Sequence, residues 1–196
     1  MSEFWIYLQL GLRHVLDLKG YDHMLFLAAL MVPYTFKDWK KILLLVSVFT
    51  LGHTLALLLS VYKILIIKAE IVEFLIPVTI LITALYGLFT AGKPAKMDNA
   101  GATVLITVFF GIIHGLGFSN YFNAILGGDA ADKLLPLLEF ALGIECAQII
   151  VVLAVLILAY IAQTFLRFSK RDWTLVTSAF VIGVVLPMIA TSEIWT

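Results

Sequence analysis

Apolar residues run along this chain in long unbroken stretches rather than in alternation. A membrane crossing needs about 20 mostly apolar residues. Five stretches reach that length, at 42–62, 70–92, 100–120, 134–166 and 173–192. The fourth is long enough to tilt or to project from the bilayer. A sixth, 22–36, is shorter and opens on Asp22-His23. Upstream, Phe4 to Leu16 is an apolar segment of half-span length, broken by Gln9, Arg13 and His14. It is expected to lie in the interface or to enter part-way and return. Glu3 stands where a signal peptide has its basic region, and no small-residue cleavage site follows, so a signal peptide is not expected. Backbone groups in lipid must bond to one another, which leaves helices or closed barrels. Continuous apolar runs predict helices. The expected fold is all-α: a polytopic transmembrane bundle of about six spans plus an N-terminal interfacial or half-membrane helix, in one domain over 1–196.

Composition agrees and removes other classes. The chain is 62% hydrophobic and 13% charged, against roughly 45–50% and about 25% in soluble domains. Cys146 is the only cysteine, so a disulfide scaffold is excluded. With 13 basic and 13 acidic residues there is no positive excess for nucleic acid. The loops at 35–41, 93–99 and 167–172 share one face and carry Lys37, Lys40, Lys41, Lys93, Lys96, Arg167, Lys170 and Arg171. The other face has Lys63, Lys68 and Lys133, with Arg13 and Lys19 from the N-terminal segment. The positive-inside rule puts the first face in the cytoplasm and the C-terminus outside. Trp5, Trp39, Trp173 and Trp195 fall near the predicted interfaces.

Ionisable groups inside spans are costly and mark function. Here they are Asp22, His23, His53, Glu73, His114, Glu139 and Glu145, with His14 and Asp17 just upstream. His53 is nine residues before Tyr62, roughly 13 Å deep, and Glu145 is about 16 Å deep in its helix. Helices of opposite direction thus place their ionisable residues in the same half of the membrane, the outer one. No Lys or Arg lies inside any predicted span. Buried carboxylates without a basic partner are protonated or neutralised by a cation. Histidine with carboxylate is a ligand set for zinc, nickel, cobalt or iron. The expected metal ligands are Asp22, His23, His53, His114, Glu145 and Glu73. His14, Gln148 and Glu139 are expected to orient them.

Local features point the same way. Gly111 and Gly115 flank His114 on one helix face and permit close helix approach. Pro77 removes the hydrogen bond to the Glu73 carbonyl. Glu145 and Gln148 share a face. Each residue alone has an ordinary reading. A membrane histidine can hydrogen-bond a neighbouring helix, Cys146 packs, and Asp129 and Asp132 suit a solvated Gly-rich turn. The shared depth is what favours one site.

Several motifs together are similar to one family. They are Leu10-Gly11-Leu12-Arg13-His14-Val15-Leu16, Gly20-Tyr21-Asp22-His23-Met24-Leu25-Phe26-Leu27 and Phe49-Thr50-Leu51-Gly52-His53-Thr54. Val72-Glu73 with Pro77, Phe110-Gly111-Ile112-Ile113-His114-Gly115-Leu116-Gly117-Phe118, and Leu142-Gly143-Ile144-Glu145 with Gln148 complete the set. The chain resembles the HupE/UreJ family of small bacterial membrane proteins, hydrogenase and urease accessory proteins regarded as nickel or cobalt permeases. His14 and Asp22 are eight apart with no intervening Pro, and His114 stands alone where founding members have two histidines. The chain therefore looks like the second, divergent branch. The resemblance implies a bacterial inner-membrane protein with Asp22, His23, His53 and His114 at its site.

The expected function is a divalent transition-metal permease of the nickel/cobalt type, loading from the outer side. The alternatives are an intramembrane metallohydrolase with Glu145 or Glu73 as base, a metal-sensing or assembly subunit, and a proton relay. The expected partners are membrane lipid and a transition-metal ion, with room for a homo-oligomer and none for nucleic acid. The opposing halves of the spans offer only Ser and Thr, so the sequence displays no inner path.

Overall fold

The computed structural model describes residues 2–93, 100–125 and 133–195. Lys96, Asp129 and Asp132 of the reading above lie outside the described residues. The helices are α1 (Glu3–Val15), α2 (Asp22–Met31), α3 (Trp39–Val61), α4 (Ala69–Thr90), α5 (Ala100–Ile125), α6 (Leu134–Thr164) and α7 (Lys170–Ala190), with short 3-10 turns at Phe36–Asp38 and Glu193–Trp195. There is no strand among the described residues. Five helices are long and apolar enough to cross a membrane, α3 to α7. The fold is a polytopic helical bundle. At 31 residues, α6 is about 46 Å long and exceeds the roughly 30 Å hydrocarbon core, as its apolar run predicts.

The sixth apolar stretch, 22–36, is not a full span: α2 has 10 residues, about 15 Å. It ends two residues before Pro33, which has no N–H to offer the preceding turn. Thr35 then opens the next helical segment with a capping box. Its backbone N–H and its hydroxyl both donate to Asp38 Oδ2, at 3.0 and 2.9 Å.

Close contacts at glycine position the helices. A Cβ on Gly11 would meet the carbonyl oxygen of Phe140, and one on Gly143 would meet that of Leu8. Rising numbers in α1 thus face falling numbers in α6, and α1 lies antiparallel along the first half of α6. Likewise a Cβ on Gly52 would meet the Val108 carbonyl oxygen, and one on Gly111 that of Phe49. A Cβ on Gly115 would meet the His53 carbonyl oxygen, so from Gly111–Phe49 to Gly115–His53 the numbers rise together, and α3 and α5 run parallel. In both pairs each glycine sits over the carbonyl three residues before its partner glycine. Backbones this close gain dispersion and Cα–H···O contacts, which replace the hydrophobic drive that lipid removes.

These pairs divide the interior into two apolar clusters. The first contains Val15, Leu57, Phe122, Phe140 and Ile144 from α1, α3, α5 and α6. The second contains Phe26, Phe49, Ile80, Val181 and Val185 from α2, α3, α4 and α7. The histidines lie between them. His14 and His53 lie tilted beside Phe140 of the first, and His114 beside Phe26 and Phe49 of the second. α1 ends and α2 begins at this level, joined by the exposed turn 16–21, where Asp17 Oδ1 accepts from the Lys19 backbone N–H at 2.9 Å.

Candidate metal centre

All four histidines converge. His14 lies in the last turn of α1, His23 in the first turn of α2, His53 in α3 and His114 in α5. Ring centroids are 4.6 Å apart for His14–His23, 5.5 Å for His14–His53, 5.5 Å for His23–His53 and 5.2 Å for His23–His114. His14, His23 and His53 each offer a ring nitrogen within 4.8 Å of the other two. A single ion can bridge that spacing, since metal–nitrogen bonds are about 2.0–2.1 Å and ring rotation closes the remainder.

Two of the four rings are held in a defined tautomer. His23 Nδ1 is 3.0 Å from Asp22 Oδ1, and His114 Nδ1 is 2.9 Å from the Phe110 carbonyl oxygen. A carbonyl or carboxylate oxygen only accepts, so Nδ1 carries the proton in both rings and Nε2 keeps its lone pair. That is the arrangement in which a carboxylate or carbonyl orients a ligating imidazole. Correspondingly, Nε2 of His14, His23, His53 and His114, and also Nδ1 of His53, are buried with no protein hydrogen-bond partner. Each such atom costs about 1–3 kcal/mol if it bonds to nothing. These atoms belong to the clustered rings, and three of the histidines, His14, His23 and His53, could hold a metal ion. The residues fit a divalent transition metal: neutral imidazole donors, one oriented by carboxylate, and no competing cation within the spans.

Of the residues singled out in the sequence, Asp22, His23, His53 and His114 come together. Asp22 is the group's link to the surface, its side chain 24% exposed beside the 16–21 turn. His14, expected only to orient a ligand, presents its own ring nitrogen to the group. Its signal was present in the sequence: Gly11-x-x-His14 repeats the spacing of Gly111-x-x-His114. In each case a glycine brings the helix close and a histidine follows one turn later.

The remaining residues lie elsewhere. Glu145 Oε1 accepts a 2.6 Å hydrogen bond from the Ser47 hydroxyl, and Gln148 Oε1 one of 3.1 Å from Thr50. Both pairs bridge α3 and α6, toward the Trp39 end of α3 from His53. Glu139 is buried on α6, and Glu73 is exposed on α4; neither belongs to the group of close donor atoms. Cys146 is exposed.

A family model described as HupE / UreJ protein matches residues 1–193. No curated protein and no solved structure matches the chain.

Proposed function

The chain belongs to the HupE/UreJ family, and from that premise we propose that it is a permease for a divalent transition metal of the nickel/cobalt type. It would be captured by His14, His23 and His53, with Asp22 orienting His23 and His114 adjoining. The observation that carries this reading is the set of buried imidazole nitrogens that share one locus and have no protein partner. Imidazole donors suit a cargo site. They bind late first-row divalent ions firmly, yet exchange them more readily than a thiolate cage. Asp22, partly exposed, marks the entrance. By the positive-inside rule that entrance faces outward from a bacterial inner membrane, and the lysine and arginine loops face the cytoplasm.

An enzyme would need a free base beside the metal to activate water. Asp22 Oδ1 is engaged by His23, and Glu73 and Glu145 lie outside the close donor group. This favours transport over hydrolysis.

Uptake of radioactive cobalt into proteoliposomes tests the reading. Wild-type protein is expected to load the vesicles, and His53→Ala to abolish loading while remaining folded. Unchanged loading by a folded His53→Ala protein would overturn it.

A further inference from the structure

A metal held by the histidines still needs a route to the far side of the membrane. On α3, Ser47, Thr50 and His53 are spaced by three and form one stripe. Thr50 is about 4.5 Å and Ser47 about 9 Å along the axis from His53, toward Trp39. Opposite them, Glu145 and Gln148 of α6 are also three apart. The stripes meet through Ser47–Glu145 at 2.6 Å and Thr50–Gln148 at 3.1 Å. No Lys or Arg occurs in 42–62 or 134–166, the apolar stretches that carry these four side chains.

Gln148 supplies an independent sign of a ligand. It is completely buried, and its Nε2 has no protein partner. Side chains on a helix lean toward its N-terminus, which for α6 is the end near the histidines. The Thr50 hydroxyl has one proton and two acceptors in reach, Gln148 Oε1 and the Val46 carbonyl oxygen at 3.2 Å. If Thr50 donates to Val46, a half-turn of the amide lets Gln148 Nε2–H donate to Thr50 and frees Oε1 as an acceptor. The amide can thus offer either a donor or an oxygen without leaving Thr50 unsatisfied.

We propose that Ser47, Thr50, Glu145 and Gln148 form a second, oxygen-donor station for the same cation, between the histidine group and the Trp39 end of α3. This inference rests on the permease reading. The station is built of carboxylate, amide and hydroxyl oxygens, which bind late first-row ions more weakly than imidazole does. Its negative charge attracts the ion, and its weaker donors release it onward. A binding site followed by a weaker one is what conduction requires.

The test uses full-length protein and Co2+ alone. Equilibrium dialysis in detergent gives the number bound, the visible spectrum of bound Co2+ reports the histidine group, and proteoliposomes report uptake. Wild type is expected to bind one tight equivalent and one at least tenfold weaker. Glu145→Gln, which keeps size and an acceptor for Ser47, is expected to retain the tight equivalent and its spectrum. It should lose the weak equivalent and slow uptake at least tenfold. Gln148→Leu is expected to do the same. Wild-type uptake by both variants would overturn the station and leave the permease standing. No uptake by wild type would overturn both, and a changed cobalt spectrum in both variants would overturn the separation of the two stations.

Discussion

Asp22 Oδ1 accepts from two groups of His23 at once, the backbone N–H at 2.8 Å and ring Nδ1 at 3.0 Å. The carboxylate therefore ties the His23 ring to the first turn of α2 and sets which way it points. Asp22→Asn keeps the shape but removes the charge that raises the basicity of the ring. Losing such a partner typically weakens a metal site 10–100-fold. Competitive titration with a metal-sensitive dye is expected to find that loss, with the stoichiometry unchanged.

His14 and Glu73 are expected to behave oppositely. His14→Ala removes one of three close nitrogens, and should abolish tight cobalt binding as His53→Ala does. Glu73→Gln, on an exposed position of α4, should bind the wild-type amount of metal. Elemental analysis of the purified variants distinguishes them.

Bound metal should stabilise the fold, because its ligands come from three separate helices. At a free concentration 100 times Kd the gain is about 2.7 kcal/mol. The melting temperature in detergent should rise on adding cobalt to wild type and stay constant for His53→Ala. An equal rise in both would place the stabilising ion elsewhere.

Gly111→Val should loosen both the packing and the site. The new side chain meets the Phe49 carbonyl, and the first contacts along it include the His53 backbone N–H region. Overpacking of this kind costs about 1–3 kcal/mol. The parting of α3 and α5 should also weaken metal binding. Gly183→Ala, where a Cβ meets nothing within 4 Å, is the control and should melt as wild type does.

The orientation has its own measurement. Reporter fusions after residue 168 should be active in the cytoplasm, and fusions at the C-terminus should be active outside. The reverse pattern would turn the Asp22 entrance toward the cytoplasm and make the proposed transport an export.

The spans were readable because lipid enforces a one-dimensional rule. About 20 apolar residues are needed whatever packs beside them, and α3 to α7 fall within a few residues of the apolar runs, except where α5 continues beyond 120 to Ile125. Along the shorter stretch 22–36 the apolar residues continue past the helix, which ends at Met31, two residues before Pro33. A fixed rise per residue also places His53 and His114 within a few ångströms of each other in depth, about 13 and 9 Å from the ends of their apolar runs. Depth says nothing of azimuth across different helices, however. Glu145 is at a depth compatible with the histidines, yet α6 turns it to Ser47. His14 looked peripheral because its helix is too short to be recognised as a partner of α6.

The sequence by itself determined that this is a helical membrane protein whose long apolar runs carry histidines and carboxylates and no Lys or Arg. Those are properties of composition and axial position. Only the tertiary structure decided which of those residues meet. Gly11 against Phe140, and Gly111 against Phe49, draw their helices close enough to bring His14 and His114 to one locus. The same packing leaves Glu145 and Gln148 on a separate stripe with α3. The reason is that a helix rotates each residue about its axis, and the close backbone contacts at glycine, made between distant parts of the chain, fix that rotation.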